Sequence, residues 1–259
     1  MKKALLAVSF GTSHAETRKR TIEAIERDLR DAFPERDFYR AWTSGFIRKK
    51  LKETEGLVID SVPEAMERMR SDGVADVLVQ PTHMLAGGEF EKIVEELRAR
   101  RSRFSRLRLG APLLAEREDL LCLASALKDV FSGILKSDLL ALMGHGSGNL
   151  ADNPYAQLNQ IFSAGGLAHF RAGTVEHAPG FAPVLHAARE RRPGKIYLAP
   201  LMVVAGDHAL HDLCGPAEDS WESRLRREGF ETVGILKGLG EYEQIRAQYA
   251  AHARRAAVI

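Results

Sequence analysis

Two distant stretches of this chain repeat each other without a gap. Val79-Gln80-Pro81-Thr82-His83-Met84-Leu85-Ala86-Gly87-Gly88-Glu89 lies over Leu198-Ala199-Pro200-Leu201-Met202-Val203-Val204-Ala205-Gly206-Asp207-His208. The proline, the apolar loop and the Ala-Gly pair coincide. Upstream, Phe10-Gly11-Thr12 lies over His145-Gly146-Ser147 in the same order. Two ordered matches indicate a duplicated unit. In each copy a first strand ends in a small polar turn. A third strand ends in proline, an apolar loop, Ala-Gly and a helix.

The rest of the chain fits that plan. Lys3 to Ser9 reads as a strand, and His14 to Phe33 as one amphipathic helix with Ile22, Ile25 and Leu29 at helical spacing. Strands are expected at 38–43, 74–81, 107–109, 138–143, 170–175, 195–201 and 232–236. Helices are expected between them, several opened by proline in the first turn. Strand–helix alternation implies parallel sheets covered on both faces. The expected fold class is α/β, with two similar lobes that each carry a four-stranded parallel sheet. We set the first lobe at 1–125, the second at 126–240, and a closing helix at 241–259. Two such lobes would leave a cleft walled by strand ends.

Composition excludes more than it proposes. Lys plus Arg number 37 against 35 Asp plus Glu, a net charge of +2. Nothing in that balance favours nucleic acid or a membrane surface. No apolar run approaches the roughly 18 residues of a membrane span. The lysines before Ala4–Phe10 imitate a signal peptide, but the apolar run is short and leads into a charged helix. A cytoplasmic location is therefore expected. Cys122 and Cys214 lie far apart; Cys122 is expected to be a buried thiol, and no disulfide is called for.

The chemistry-bearing residues gather at strand ends. His145 follows the first strand of the second lobe, Glu176 the second, and His208 the third. In a parallel sheet those ends share one edge. Two imidazoles and a carboxylate suit a divalent first-row metal with open positions. Singly, each residue is as ordinary as any surface His or helix-start Glu. His177 could replace Glu176, and His211 could share a helical face with His208. In the first lobe, His83 and Glu89 mark the corresponding edge, with Glu89 matching His208; a carboxylate there could take protons. The loops 83–88 and 202–206 are unusually apolar, as if to grip a large flat ligand. Gly144–Gly148 lacks the Lys-Ser/Thr ending of a P-loop, so no ATP is implied.

In these residues the chain resembles the class II tetrapyrrole chelatases, within them the anaerobic sirohydrochlorin cobalt chelatases. The resemblance rests on Val8-Ser9-Phe10-Gly11-Thr12-Ser13 with Glu16-Thr17-Arg18, and on Met143-Gly144-His145-Gly146-Ser147 with Asn153-Pro154-Tyr155. It continues through Gly173-Thr174-Val175-Glu176 and Pro200–His208. Ser147 departs from the threonine common at that place. The resemblance implies two flavodoxin-like (chelatase-like) lobes with the site in the cleft between them. It implies that His145, Glu176 and His208 hold the metal, that His145 is catalytic, and that Glu89 is an acidic catalytic group of the opposite wall. Phe10, Gly11, Thr12, Ser13, His83, Met84, Leu85, Gly87, Met202 and Val203 are the residues expected to bind substrate.

What the resemblance implies for function is ATP-independent insertion of Co2+ into sirohydrochlorin, a precorrin-2-type tetrapyrrole, in anaerobic cobalamin biosynthesis. The partners are then sirohydrochlorin and a divalent metal ion, with Fe2+ or Ni2+ as alternatives to Co2+. Haem-bearing relatives carry an export signal that is absent here, so haem is not expected. Homo-oligomerisation is an expectation at the level of the family. The alternative functions are iron insertion to give sirohaem, and a metal or tetrapyrrole carrier without turnover.

Overall fold

Buried apolar strands organise both halves of the chain. The computed structural model describes residues 1–146 and 153–259. It divides into two compact units, Met1–Ala115 with Glu243–Ile259, and Glu116–Tyr242.

In the first unit, β1 (Lys2–Ser9), β2 (Asp37–Trp42), β3 (Val74–Pro81) and β4 (Arg106–Leu109) are parallel, in the order β2-β1-β3-β4. The central β1 is buried from Ala4 to Ser9, as a strand covered on both faces must be. Leu6, Val8, Val77 and Val79 pack against Met66 and Met69 of α4 (Val62–Ser71) and Ile93 and Leu97 of α5 (Gly88–Arg100). Each such side chain contributes about 1.5–3 kcal/mol by leaving water. Helix α4 starts at a capping box between Ser61 and Glu64. Helix α3 (Gly45–Glu55) is capped by Ser44 and ends at Gly56 in the left-handed region.

The helix expected over 14–33 is broken. Thr21 leaves helical geometry, and the segment forms α1 (Ala15–Arg20) and α2 (Ile22–Ala32). The Thr21 hydroxyl donates back to the Thr17 carbonyl at 2.6 Å, a local bond that competes with the helical ladder.

In the second unit, α6 (Arg117–Val130) leads to β5 (Leu139–Gly144), α7 (Pro154–Ala164), β6 (Phe170–Thr174), α8 (Ala182–Arg191), β7 (Ile196–Pro200), α9 (Trp221–Arg227) and β8 (Thr232–Gly234). The sheet is parallel throughout, in the order β6-β5-β7-β8. Leu139, Ala141 and Met143 pack against Val184 and Ala187 of α8, and against Trp221 and Leu225 of α9.

Two boundaries differ from the sequence reading. The units divide at Ala115/Glu116, not at 125/126, because a cut there would split α6, whose capping box joins Glu116 and Asp119. The closing helix α10 (Glu243–Arg254) is part of the first unit, not a separate piece. It packs on α2 and β3, and buried Tyr249 donates its hydroxyl to the Thr82 carbonyl at 3.0 Å. Beyond it, β9 (Ala257–Val258) adds a short antiparallel edge to β4. Cys122 is exposed rather than buried: the inner face of α6 is set by Leu120, Leu123 and Leu127. No helix among the described residues is long and apolar enough to cross a membrane.

Candidate metal centre

The second unit brings His145, Glu176 and His208 together. One ligand atom from each lies within 4.8 Å of the others. His145 directly follows β5, and Glu176 lies two residues beyond β6. Their backbones remain paired past the strands: Val175 N–H donates to Gly144 O at 2.9 Å, and Glu176 N–H to His145 O at 2.9 Å. On the other side of β5, Leu201 N–H donates to Met143 O at 2.7 Å. The chain then turns through Gly206 and presents His208 from a single π-helical turn over Ala209–Leu213.

The two imidazole rings stand nearly perpendicular, with centroids 5.0 Å apart and an angle of 81°. His145 Nδ1 is 3.9 Å from Glu176 Oε2. His208 Nδ1 is 2.7 Å from Asp212 Oδ2. The side chains of His145 and Glu176 are 52% and 51% exposed, so an ion held there keeps a face open to further ligands. Two imidazole nitrogens and a carboxylate make a donor set suited to Co2+, Fe2+, Ni2+ or Zn2+. Three protein ligands with free positions match a reactive rather than a structural site.

The neighbouring histidines stay out of this set among the described residues. His177 sits at φ +58°, and its carbonyl accepts the Thr174 hydroxyl at 2.9 Å, which ties the 174–180 loop to the end of β6. The His211 carbonyl accepts Gly215 N–H at 3.1 Å. Ser147, and with it the end of the Gly144–Gly148 turn, lies outside the described residues.

The first unit repeats this backbone bond by bond. Thr82 N–H donates to Val8 O, Thr43 N–H to Ser9 O and Ser44 N–H to Phe10 O, where the second unit has Leu201 to Met143, Val175 to Gly144 and Glu176 to His145. Gly11 and Gly146 share positive φ, +108° and +95°. The apolar loops match too. His83 O and Met84 O accept from Leu113 and Leu114, as Met202 O and Val203 O accept from Leu239 and Gly240. The counterparts of His145, Glu176 and His208 are therefore Phe10, Ser44 and Glu89. The duplication keeps the scaffold and changes the donors.

The sequence-expected residues of the first unit fall in different settings. Phe10 is half exposed, whereas Thr12 is buried and its hydroxyl accepts His14 N–H at 3.2 Å. Ser13 accepts from Lys50 Nζ at 3.2 Å. Met84, Leu85, Gly87, Met202 and Val203 are half-buried. Both ring nitrogens of His83 are shut from solvent without a hydrogen-bond partner among the described residues. Burial pushes that imidazole down to about 4, against the weaker pull of Glu89. Glu89 lies in the first turn of α5. Burial alone would raise its carboxyl, but Lys92 Nζ at 2.6 Å holds it below the usual carboxylate range. Sequence reasoning misses Asp212, whose signal is its i,i+4 spacing from His208, and Ser44, which only the backbone match reveals.

The duplicated parallel α/β scaffold carries an open His/His/Glu set whose donors fit a divalent metal ion. The cobalt chelatase (CbiK) family matches residues 3–258. The sirohydrochlorin cobaltochelatase of Salmonella typhimurium (strain LT2) is 40% identical over 256 residues, covering 99% of this chain and 97% of that protein. The sirohydrochlorin cobaltochelatase CbiKC of Nitratidesulfovibrio vulgaris (strain Hildenborough) is 29% identical over 245 residues, 93% of this chain and 86% of that one. The solved structure of SirB from Bacillus subtilis with Fe3+ is 13% identical, with a TM-score of 0.64, covering 98% of this chain and 95% of that chain. It is similar in fold. The chain belongs to the cobalt chelatase (CbiK) family.

Proposed function

We propose that this chain is a sirohydrochlorin cobaltochelatase, a lyase that inserts Co2+ into the free tetrapyrrole without ATP. The observation that carries the reading is the His145–Glu176–His208 cluster, within 4.8 Å and open to solvent, on a chain 40% identical along its length to a cobaltochelatase. The incoming metal is a substrate. His145, Glu176 and His208 replace part of its water shell and hold it where ring nitrogens complete the coordination. Sirohydrochlorin loses two pyrrole N–H protons as the metal enters, so proton acceptors are required. Glu89, kept ionised beside Lys92, is one; His145 is the other once the metal has passed to the ring nitrogens and freed its lone pair. The apolar loops at 83–87 and 202–205 bind the macrocycle, and Phe10 offers it a half-exposed ring.

The donor set alone does not select cobalt, since His and carboxylate ligands also suit Fe2+ and Ni2+. The proposal carries with it a cytoplasmic protein that assembles with its own copies. The test is anaerobic absorbance spectroscopy of sirohydrochlorin with Co2+, Fe2+ or Ni2+, each with and without ATP. Fastest metallation with Co2+, unaffected by ATP, supports the reading. Faster insertion of Fe2+ moves the assignment to sirohaem synthesis. A shift that stops at one equivalent of protein identifies a carrier.

A further inference from the structure

The metal cluster accounts for His208 but not for the carboxylate bound to it. Asp212 Oδ2 lies 2.7 Å from His208 Nδ1. His208 directly precedes a π-helical turn over Ala209–Leu213 and Asp212 lies within it; the turn is closed by Cys214 N–H donating to Ala209 O at 3.3 Å. Ala209 and Leu213 are fully buried, and Leu213 belongs to the core under β5 and β7. His208 and Asp212 therefore each sit next to a residue locked in the core. Their contact is held by the fold rather than by two free side chains meeting at a surface.

We propose that Asp212 is the positioning residue of the metal centre: it holds His208 with the proton on Nδ1, leaving the Nε2 lone pair for the metal. The inference rests on the reading of His208 as a ligand. A neutral imidazole carries one N–H, and the nitrogen that bears it is set by the hydrogen bond it makes. An ionised carboxylate only accepts. The tautomer with a lone pair on Nδ1 would set that lone pair against Asp212 and place a proton on Nε2, blocking coordination. A carboxylate behind a ligating imidazole also makes it a stronger donor, and removing such a partner costs roughly 10–100-fold in metal affinity. Asp212 is not one of the three clustered ligand groups; it acts through His208.

The experiment has two readouts on the metal-free full chain. The first is the 15N spectrum of the His208 ring at mildly alkaline pH, assigned with His208→Gln. Protonated Nδ1 and unprotonated Nε2 are expected. The second is titration with Co2+ alone, followed by its visible absorption. Asp212→Ala should weaken binding roughly 10–100-fold. Asp212→Asn keeps a carbonyl acceptor for Nδ1–H and should stay within about threefold of wild type; it also serves if the alanine variant folds poorly. A proton on Nε2 in the wild type overturns the inference, as does Co2+ binding by Asp212→Ala equal to wild type. A chain that passes both tests yet metallates no sirohydrochlorin refutes the proposed function and leaves this inference standing.

Discussion

The amide of Glu176 donates to the carbonyl oxygen of His145 at 2.9 Å, so two candidate ligands are joined through their backbones before any metal arrives. The bond extends the β5–β6 pairing beyond the last strand residues. It sets the spacing of an imidazole and a carboxylate whose side chains are otherwise half free. A site built this way needs little reorganisation to receive an ion.

That arrangement makes Gly146 critical. It sits at φ +95°, and a β-carbon there would lie 1.9 Å from the Glu176 carbonyl oxygen. Gly146→Ala would both strain the backbone and push Glu176 away from His145. We expect a loss of about 1–3 kcal/mol of stability and weaker Co2+ binding by about tenfold or more. Thermal melts and Co2+ titration check the two effects separately. Wild-type Co2+ affinity in the variant would mean that the backbone contact does not set the site.

The ligand assignments predict a graded series. His145→Ala and His208→Ala each remove a nitrogen donor, and Glu176→Gln removes the anionic oxygen. Each should lower Co2+ affinity by at least about tenfold, while far-ultraviolet circular dichroism is unchanged, because all three side chains project from the sheet edge. His211→Ala lies outside the cluster and should bind Co2+ as wild type does. Isothermal titration of the four variants distinguishes this set from one that includes His211.

Glu89 should act on rate rather than on metal binding. Its counterpart by backbone match is His208, but no ligating partner stands at Phe10 or Ser44. Glu89→Gln is expected to leave the Co2+ dissociation constant unchanged and to lower kcat by roughly 10²–10⁴-fold, the range for loss of a positioned proton acceptor. An equal loss of Co2+ affinity would make Glu89 a ligand instead.

His83 predicts a pH dependence. In the unfolded chain its imidazole takes a proton near 6.5, and in the folded chain only near 4. Between those values the unfolded state binds more protons, so stability falls as pH drops through the window. The full effect is on the order of 3 kcal/mol. His83→Leu should lose that slope. Denaturant midpoints for both proteins across the window test it, and parallel slopes would refute it.

The legible parts of this protein were those written in local pattern. β5 is apolar from Leu139 to Met143 and ends in glycine, so its place as a buried strand and the position of His145 at its end follow from the sequence. The in-phase match of Pro81 and Pro200 exposed the duplication, and with it the matched positions of Glu89 and His208 beyond the third strand of each copy. What escaped depends on tertiary contact. β9 is two residues that gain strand geometry only by pairing with Arg108 and Leu109. α10 closes the first unit because Tyr249 finds the Thr82 carbonyl far upstream. Cys122 was misplaced for another reason: the stretch Leu120–Leu123 is apolar by composition, but helical phase turns Leu121 and Cys122 outward. Asp212 was hidden because the π-helical turn that presents it has no distinctive sequence of its own.

The central claim is that His145, with Glu176 and His208, delivers Co2+ to sirohydrochlorin in a catalytic cycle. The most direct measurement is the number of cobalt–sirohydrochlorin molecules formed anaerobically per chain, for wild type and His145→Ala, with both substrates in large excess. The account predicts many turnovers for wild type and a variant reduced to the spontaneous rate. Product that stops at one per chain, or a His145→Ala variant that turns over like wild type, would contradict it.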